Sequence, residues 1–247
     1  MGFHATSMAK TSQTLQKNRN ILANHVQIVR AEDIAHLANA VRTYATSGDP
    51  VDLGFVQYEG VICTKAWTAD VILISAADLA GPMPGPRSTA SYAAVPALAA
   101  ALYEAWDEAL PGADIVFAFT TCAPQSWLTR VYAHHLRTSR MTMNSARFQH
   151  EYAAAADMQS VAMAVQGAVP DAEVATIRLE QFSQTQLGPI GPLLDLAEVP
   201  RQVQDRLDPG SQVKTHLDRR QREQFLLLNR SGLSDAEVIS RKHKALK

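Results

Sequence analysis

Apolar positions recur in two rhythms along this chain, one helical and one strand-like. Between Met8 and His25, polar residues surround Leu15, Ile21 and Leu22 and proline is absent, which predicts a helix. Val26-Gln27-Ile28-Val29 is a short apolar piece that reads as a strand. From Glu32 to Tyr44, apolar residues at Ile34, Leu37, Ala38 and Val41 repeat at i, i+3, i+4 and predict a second helix. Ser47-Gly48-Asp49-Pro50 then breaks it. Residues 53–67 fit helix or strand by composition. Val71-Ile72-Leu73-Ile74 is a continuous apolar run of the kind found in a fully buried parallel strand.

The same alternation continues. A Gly/Pro-rich loop (80–89) precedes a helix over 93–109, which Pro111-Gly112 stops. Ile115 to Phe119 reads as a buried strand, and Pro124 suits the first turn of the helix that follows. A helix over 146–167 is broken near Asp157, and Val174 to Leu179 is a weaker strand, nearer an edge. A turn at 188–192 leads into a short helix ending near Ala197. The stretch from Pro200 to Asp218 is polar and irregular, the best linker in the chain. Two helices follow, 218–229 and one opening at Ser234, where Glu237 completes a capping box. Strands alternating with helices predict a parallel α/β sheet covered on both faces, with ligands at the C-terminal ends of its strands. The domain spans 1–199, with 200–247 as linker and helical extension of the same domain.

Composition narrows the function. The chain has 247 residues, 47% hydrophobic and 19% charged, with a net charge of −1. That balance suits one large globular domain and gives no sign of a nucleic-acid or membrane-surface partner. No apolar run approaches the roughly 18 residues of a membrane span, and residues 1–10 lack a signal-peptide core, so a cytoplasmic protein is expected. Cys63 and Cys122 lack metal-binding spacing and read as free thiols in a reducing compartment, with a disulfide between them as the other reading.

Three blocks carry a resemblance. Gly2-Phe3-His4-Ala5-Thr6-Ser7, followed by Leu15, Asn18 and Arg19, is similar to a loop reading G-x-H-K-T-G with L-x-x-N-R behind it. Val71 to Ser75 with Asp78-Leu79, Gly81, Pro84-Gly85 and Tyr92 resembles a strand and loop reading S-x-E-D-L-x-G. Thr120-Thr121, Trp127-Leu128, Tyr132, His135 and Ser139-Arg140-Met141-Thr142 resemble a segment that grips a 3′-phosphate. In order and spacing these resemble bacterial sulfotransferases of the P-loop type. The resemblance implies a three-layer α/β/α parallel sheet, 3′-phosphoadenosine 5′-phosphosulfate as sulfuryl donor, and an unidentified small-molecule or glycan acceptor. It places Gly2, Thr6, Ser7, Lys10, Thr121, Arg130 and Arg140 on the donor and offers His4 and Asp78 as catalytic groups. No metal is implied.

The chain departs from that pattern where the chemistry lies. Ala5 stands at the loop lysine, Ser7 at the loop glycine, Ala77 at the glutamate, Cys122 at an arginine and Arg130 at a serine. Losing a charged clamp costs about 10²–10³ in rate, and losing a base about 10²–10⁴. The family also places a strand before the loop, where this sequence has only Met1. Two readings stay open: a sulfotransferase with altered side chains, and a non-enzymatic binding module, a pseudoenzyme, on the same fold. A kinase is disfavoured because G-x-x-x-x-G-K-[ST] is absent. Each candidate also has a plainer role: Thr6 and Ser7 as helix caps, the arginines as a solvated face, and His134-His135 as helix residues that point about 100° apart.

Overall fold

The computed structural model describes residues 2–86, 88–182, 184–210 and 217–246. The first helix, α1 (Met8–Lys17), stops earlier than its pattern predicts, and a single turn, α2 (Arg19–Leu22), follows. Asn18 is the cause. Its buried amide donates to the carbonyls of Thr14 and Asp208, and its Oδ1 accepts from the Asp208 N–H. That side chain ties α1 to the segment around residue 208, so a polar anchor ends the helix where apolar spacing would continue it.

β1 (Gln27–Val29) leads through a 3₁₀ turn into α3 (Ala35–Ser47), which ends on Gly48 in the left-handed conformation. Residues 53–67, ambiguous by composition, belong largely to α4 (Pro50–Thr64). The decisive signals lie upstream: the Asp49 carboxylate caps the Val51 N–H, and Pro50 sits in the first turn. β2 (Ile72–Ile74) and a 3₁₀ turn (Ala77–Ala80) precede α5 (Val95–Ala109). α5 buries Val95, Leu98, Ala99, Leu102, Ala105 and Trp106 at helical spacing against the core.

β3 (Val116–Thr121) enters α6 (Pro124–Thr138) through Ala123 and Pro124. α7 (Ser145–Glu151) and α8 (Met158–Ala168) are separated at Asp157, whose carboxylate caps Ser160. β4 (Glu173–Arg178) runs into three short helices, α9 (Leu179–Phe182), α10 (Ile190–Leu196) and α11 (Arg201–Gln204). A helical hairpin, α12 (Arg219–Arg230) and α13 (Asp235–Ala245), completes the order, each helix opening on a capping box. Part of the linker expected from Pro200 to Asp218 lies outside the described residues.

The chain is therefore mixed α/β and mostly helical. The expected sheet takes the form of two parallel pairs. β1 pairs with β2 in the register Gln27↔Ile72, and β3 pairs with β4 in the register Val116↔Glu173. Among the described residues no strand of one pair bonds to a strand of the other. One expectation is corrected: β2 is half-buried along its length rather than fully buried. In a pair of two strands each is an edge, β3 as much as β4. The main core joins both pairs through Phe3, Val29, Leu79, Leu102, Phe119 and Trp127, while Leu15, Leu22, Ile190 and Leu194 form a smaller cluster. No described helix is long and apolar enough to cross a membrane.

The C-terminal hairpin is held by cations on carbonyls. Arg140 donates to the carbonyls of Asn229 (3.1 Å), Ser231 (2.6 Å) and Leu233 (2.8 Å), and pairs with Asp235 (2.5 Å). In return, the Asn229 amide donates to the carbonyls of Leu136 and Met141, Lys242 to Ser139 and Arg230 to Thr142. These bonds satisfy carbonyls at the C-terminal end of α6, where cations are favoured. Replacing Arg140 by Ala leaves three carbonyls short of a donor and is expected to cost about 2 kcal/mol in urea unfolding. A change under about 0.5 kcal/mol would mean that the hairpin is held by its apolar contacts alone.

Candidate functional site

Phe3 positions the N-terminal loop. Its ring is fully buried, 5.2 Å from Phe119 of β3 and 4.8 Å from Tyr92. Burial of such a ring contributes roughly 1.5–3 kcal/mol, which pins the chain on both sides of it. Gly2 to Ser7 thereby wraps the N-terminus of α1 at the C-terminal end of β3. The buried Thr6 hydroxyl donates to the Phe3 carbonyl and accepts from Thr120. Ala5 and Ser7 both hold left-handed backbones, φ 60° and 69°. Left-handed residues alternating with right-handed ones are the backbone pattern of anion nests. Ser7 occupies the position where the resembling pattern has glycine, the residue that adopts this conformation without strain.

His4 lies between two partners. The phenol of Tyr92 accepts from the His4 N–H at 3.1 Å and lies 3.2 Å from Nδ1. Burial pushes the Tyr92 phenol well above its usual value. On the other side of the ring, His4 Nε2 faces Asp78 Oδ1 at 3.9 Å. The imidazole is the main influence holding the Asp78 carboxyl below the ordinary carboxylate range; burial opposes it, and Arg42, also 3.9 Å away, adds to it. The Trp127 indole donates to the His4 carbonyl at 2.9 Å and fixes the loop from the other side.

The structure brings together most of the residues that the sequence singles out. His4 and Asp78 form a pair. Gly2, Thr6 and Ser7 build the loop, and Lys10 sits in the first turn of α1. Thr121 is buried at the end of β3, and Arg130 of α6 reaches the Ala5 carbonyl at 3.4 Å. Arg140 is not brought to this cluster, because its guanidinium is fully engaged by the C-terminal hairpin. Tyr92 has a place in the resembling block but no role assigned from sequence, and Arg42 carries no sequence signal. Both meet the site through tertiary packing.

The remaining candidates take structural roles. His135 Nε2 bonds the Pro84 carbonyl at 2.9 Å, and burial lowers its pKa. Burial, with His135, Arg137 and His4 nearby, pushes His134 down to about 4. Burial also raises the thiol of Cys122 to about 11, against a smaller pull from Arg130, so it is no nucleophile near neutrality. Cys63 and Cys122 are both free, and no group of three metal-ligating side chains occurs among the described residues.

Two features set the limits of the loop. A Cβ added at Gly2 would meet the sulfur of Met8 at 2.5 Å, and that sulfur lies 3.6 Å from the Thr120 hydroxyl. Met8 therefore fills the space inside the turn. Two surface grooves lie elsewhere, one beside Gln13, Lys17 and Arg30 and one on the C-terminal hairpin.

Set against known proteins, the chain matches no family model, no curated protein and no solved structure.

Two outcomes test this geometry. Ser7→Gly relieves a left-handed serine and is expected to stabilise the fold by about 0.5–1 kcal/mol; destabilisation in urea would argue against a strained loop. His134 titrates in the unfolded chain near 6.5 and in the fold at about 4. The unfolded state therefore takes up the proton first, and stability falls as pH drops from about 6.5 toward 4. His134→Gln should flatten that part of a pH–stability profile, and an unchanged slope would assign it to other groups.

Proposed function

We propose that this chain is a sulfotransferase-like protein whose N-terminal loop holds the phosphosulfate end of 3′-phosphoadenosine 5′-phosphosulfate. The observation that carries the reading is the Gly2–Ser7 loop. It has left-handed backbones at Ala5 and Ser7, lies at the N-terminus of α1 and sets His4 against Asp78. The three-layer α/β/α sheet of the P-loop type belongs to the same proposal. Its support is the parallel pairing of both strand pairs and the position of the loop at a strand's C-terminal end.

The donor set fits the phosphate portion of that molecule. Backbone N–H groups of the loop and the helix N-terminus suit an anion, and this reading assigns Lys10 in the first turn of α1 and Arg130, which reaches the Ala5 carbonyl, to neutralise it. The 3′-phosphate lacks Arg140, which the hairpin holds. When bound, the donor supplies an activated sulfuryl group. Asp78 is the half-exposed carboxylate that can take a proton from an acceptor hydroxyl or amine. His4, with Tyr92 on one nitrogen and Asp78 beside the other, orients that carboxylate.

A second reading, a binding module without turnover, is favoured by one observation. Met8 occupies the interior of the loop, and Ala5 offers no cation there.

A thermal-shift titration with 3′-phosphoadenosine 5′-phosphate, with ATP as control, separates the two. At about 100 times its dissociation constant a ligand stabilises by about 2.7 kcal/mol, or roughly 5–10 °C for a chain of this size. The sulfotransferase reading expects that shift with the bisphosphate alone, reduced in Lys10→Ala and Arg130→Ala. No shift with a folded sample would overturn it and leave the binding module.

A further inference from the structure

Two surfaces far from the loop remain unexplained, and each suits the other. The first is on α4. Val56, Gly60 and Thr64 face the core, where α4 packs against α3 and α5. The opposite face carries Val51, Phe55 and Tyr58, which are 68%, 57% and 59% exposed. Their spacing of four and three residues places them in one stripe along the helix. Such a contiguous exposed apolar stripe marks an interaction site, whereas scattered single residues do not. Its border is acidic. Asp52 and Glu59 lie roughly 80–100° round the helix from the stripe's first residue, and Glu104 of α5 is hydrogen-bonded to Gln57 at 2.6 Å on the neighbouring surface.

The second surface is on the C-terminal hairpin. A groove of about 420 Å³ runs beside α12 and α13, with Leu227, Leu228 and Leu233 in its wall and Arg220 and Arg241 at its rim. Leu227 is 69% exposed. Glu223, the acidic residue of the groove, is already paired with Arg219 at 3.0 Å. Residues 217–246 hold seven Lys/Arg against four Asp/Glu, while the whole chain carries a net charge of −1. The hairpin is thus a basic patch on an otherwise acidic body.

We infer that the Val51–Phe55–Tyr58 stripe of one molecule docks into the α12–α13 groove of a second copy. Aromatic side chains enter the apolar groove, and the acidic border of α4 meets Arg220 and Arg241. Charge complementarity selects this pairing over the like-with-like ones. Two α4 stripes would bring Asp52 and Glu59 of both copies together, and two hairpins would oppose arginine to arginine. The contact is heterologous: each molecule presents one half of it and keeps the other half free, so association proceeds head to tail. The small patch places it in the weak, concentration-dependent class. This inference is independent of the proposed sulfotransferase activity, since no residue of the loop takes part.

Sedimentation velocity across a wide range of protein concentration tests it, at low ionic strength and again in about 0.5 M salt, where the Debye length falls to roughly 4 Å. The wild-type chain is expected to grow in mass with concentration and to dissociate in salt. Phe55→Glu and Leu227→Glu should each raise the apparent dissociation constant roughly thirtyfold or more and sediment as monomers. An equimolar mixture of the two should form a dimer and nothing larger, because one variant keeps the groove and the other keeps the stripe. Three results would overturn the inference: a wild-type monomer at every concentration, association by either variant alone, or a mixture that stays monomeric. All these positions are on the surface, and circular dichroism checks the fold of each variant. Tyr58→Glu and Arg241→Glu repeat the test on each surface should a first variant unfold.

Discussion

The burial of Phe3 governs how the N-terminal segment is built. An aromatic ring so near the start of the described chain would ordinarily sit at a frayed end. Here it is enclosed by Tyr92 and Phe119, and the residues beside it have little freedom left. Thr6 closes back on the Phe3 carbonyl, His4 is held through its carbonyl by Trp127, and Ala5 and Ser7 accept left-handed backbones. Left-handed L-residues cost about 1–2 kcal/mol each, comparable with what one buried aromatic ring contributes. The loop keeps its shape because the ring cannot leave the core without breaking the loop's hydrogen bonds as well.

Local signals in the sequence anticipate most of the helices. Pro124 marks a first turn, Gly48 ends α3, and Ser234 opens the last helix with a capping box. Asp157 separates α7 from α8, where the pattern weakens. What escaped a sequence reading depends on residues distant in the chain. Asn18 ends α1 through residue 208, and Arg140 turns toward residues beyond 228, so neither can be placed by spacing. The split of the strands into two pairs is equally silent in the sequence, since Ile72-Leu73-Ile74 reads the same with one strand neighbour or two. Within the site, the pairing of His4 with Asp78 follows from bringing together two segments already singled out. Tyr92 and Arg42 enter only through packing.

The hairpin shows how polar groups position a helical unit. Arg140, Asn229, Arg230 and Lys242 all donate to main-chain carbonyls, and these bonds cross between α6 with its following turn and the last two helices. Lys242 is almost fully buried with its ammonium on the Ser139 carbonyl and above the ring of Phe225, and burial lowers its pKa. Such contacts are directional. They fix the orientation of α12 and α13 in a way that apolar burial alone, which tolerates sliding, does not.

The strand pairing bears on the order in which the molecule assembles. Gln27 meets Ile72 across α3 and α4, and Val116 meets Glu173 across α6, α7 and α8. Parallel pairs of this kind must close long loops before their hydrogen bonds form, and folding slows as such separations lengthen. α3 and α4, joined through Gly48 and Asp49, face no comparable delay, whereas α4 and α5 meet across a separation like that of β1 and β2, as in the bond from Gln57 to Glu104. The N-terminal loop docks on β3 and on Tyr92, surfaces made complete by those later closures. On this account a newly made chain pairs α3 with α4 first and gains the setting of His4 last, so partly folded molecules would carry helices without the site.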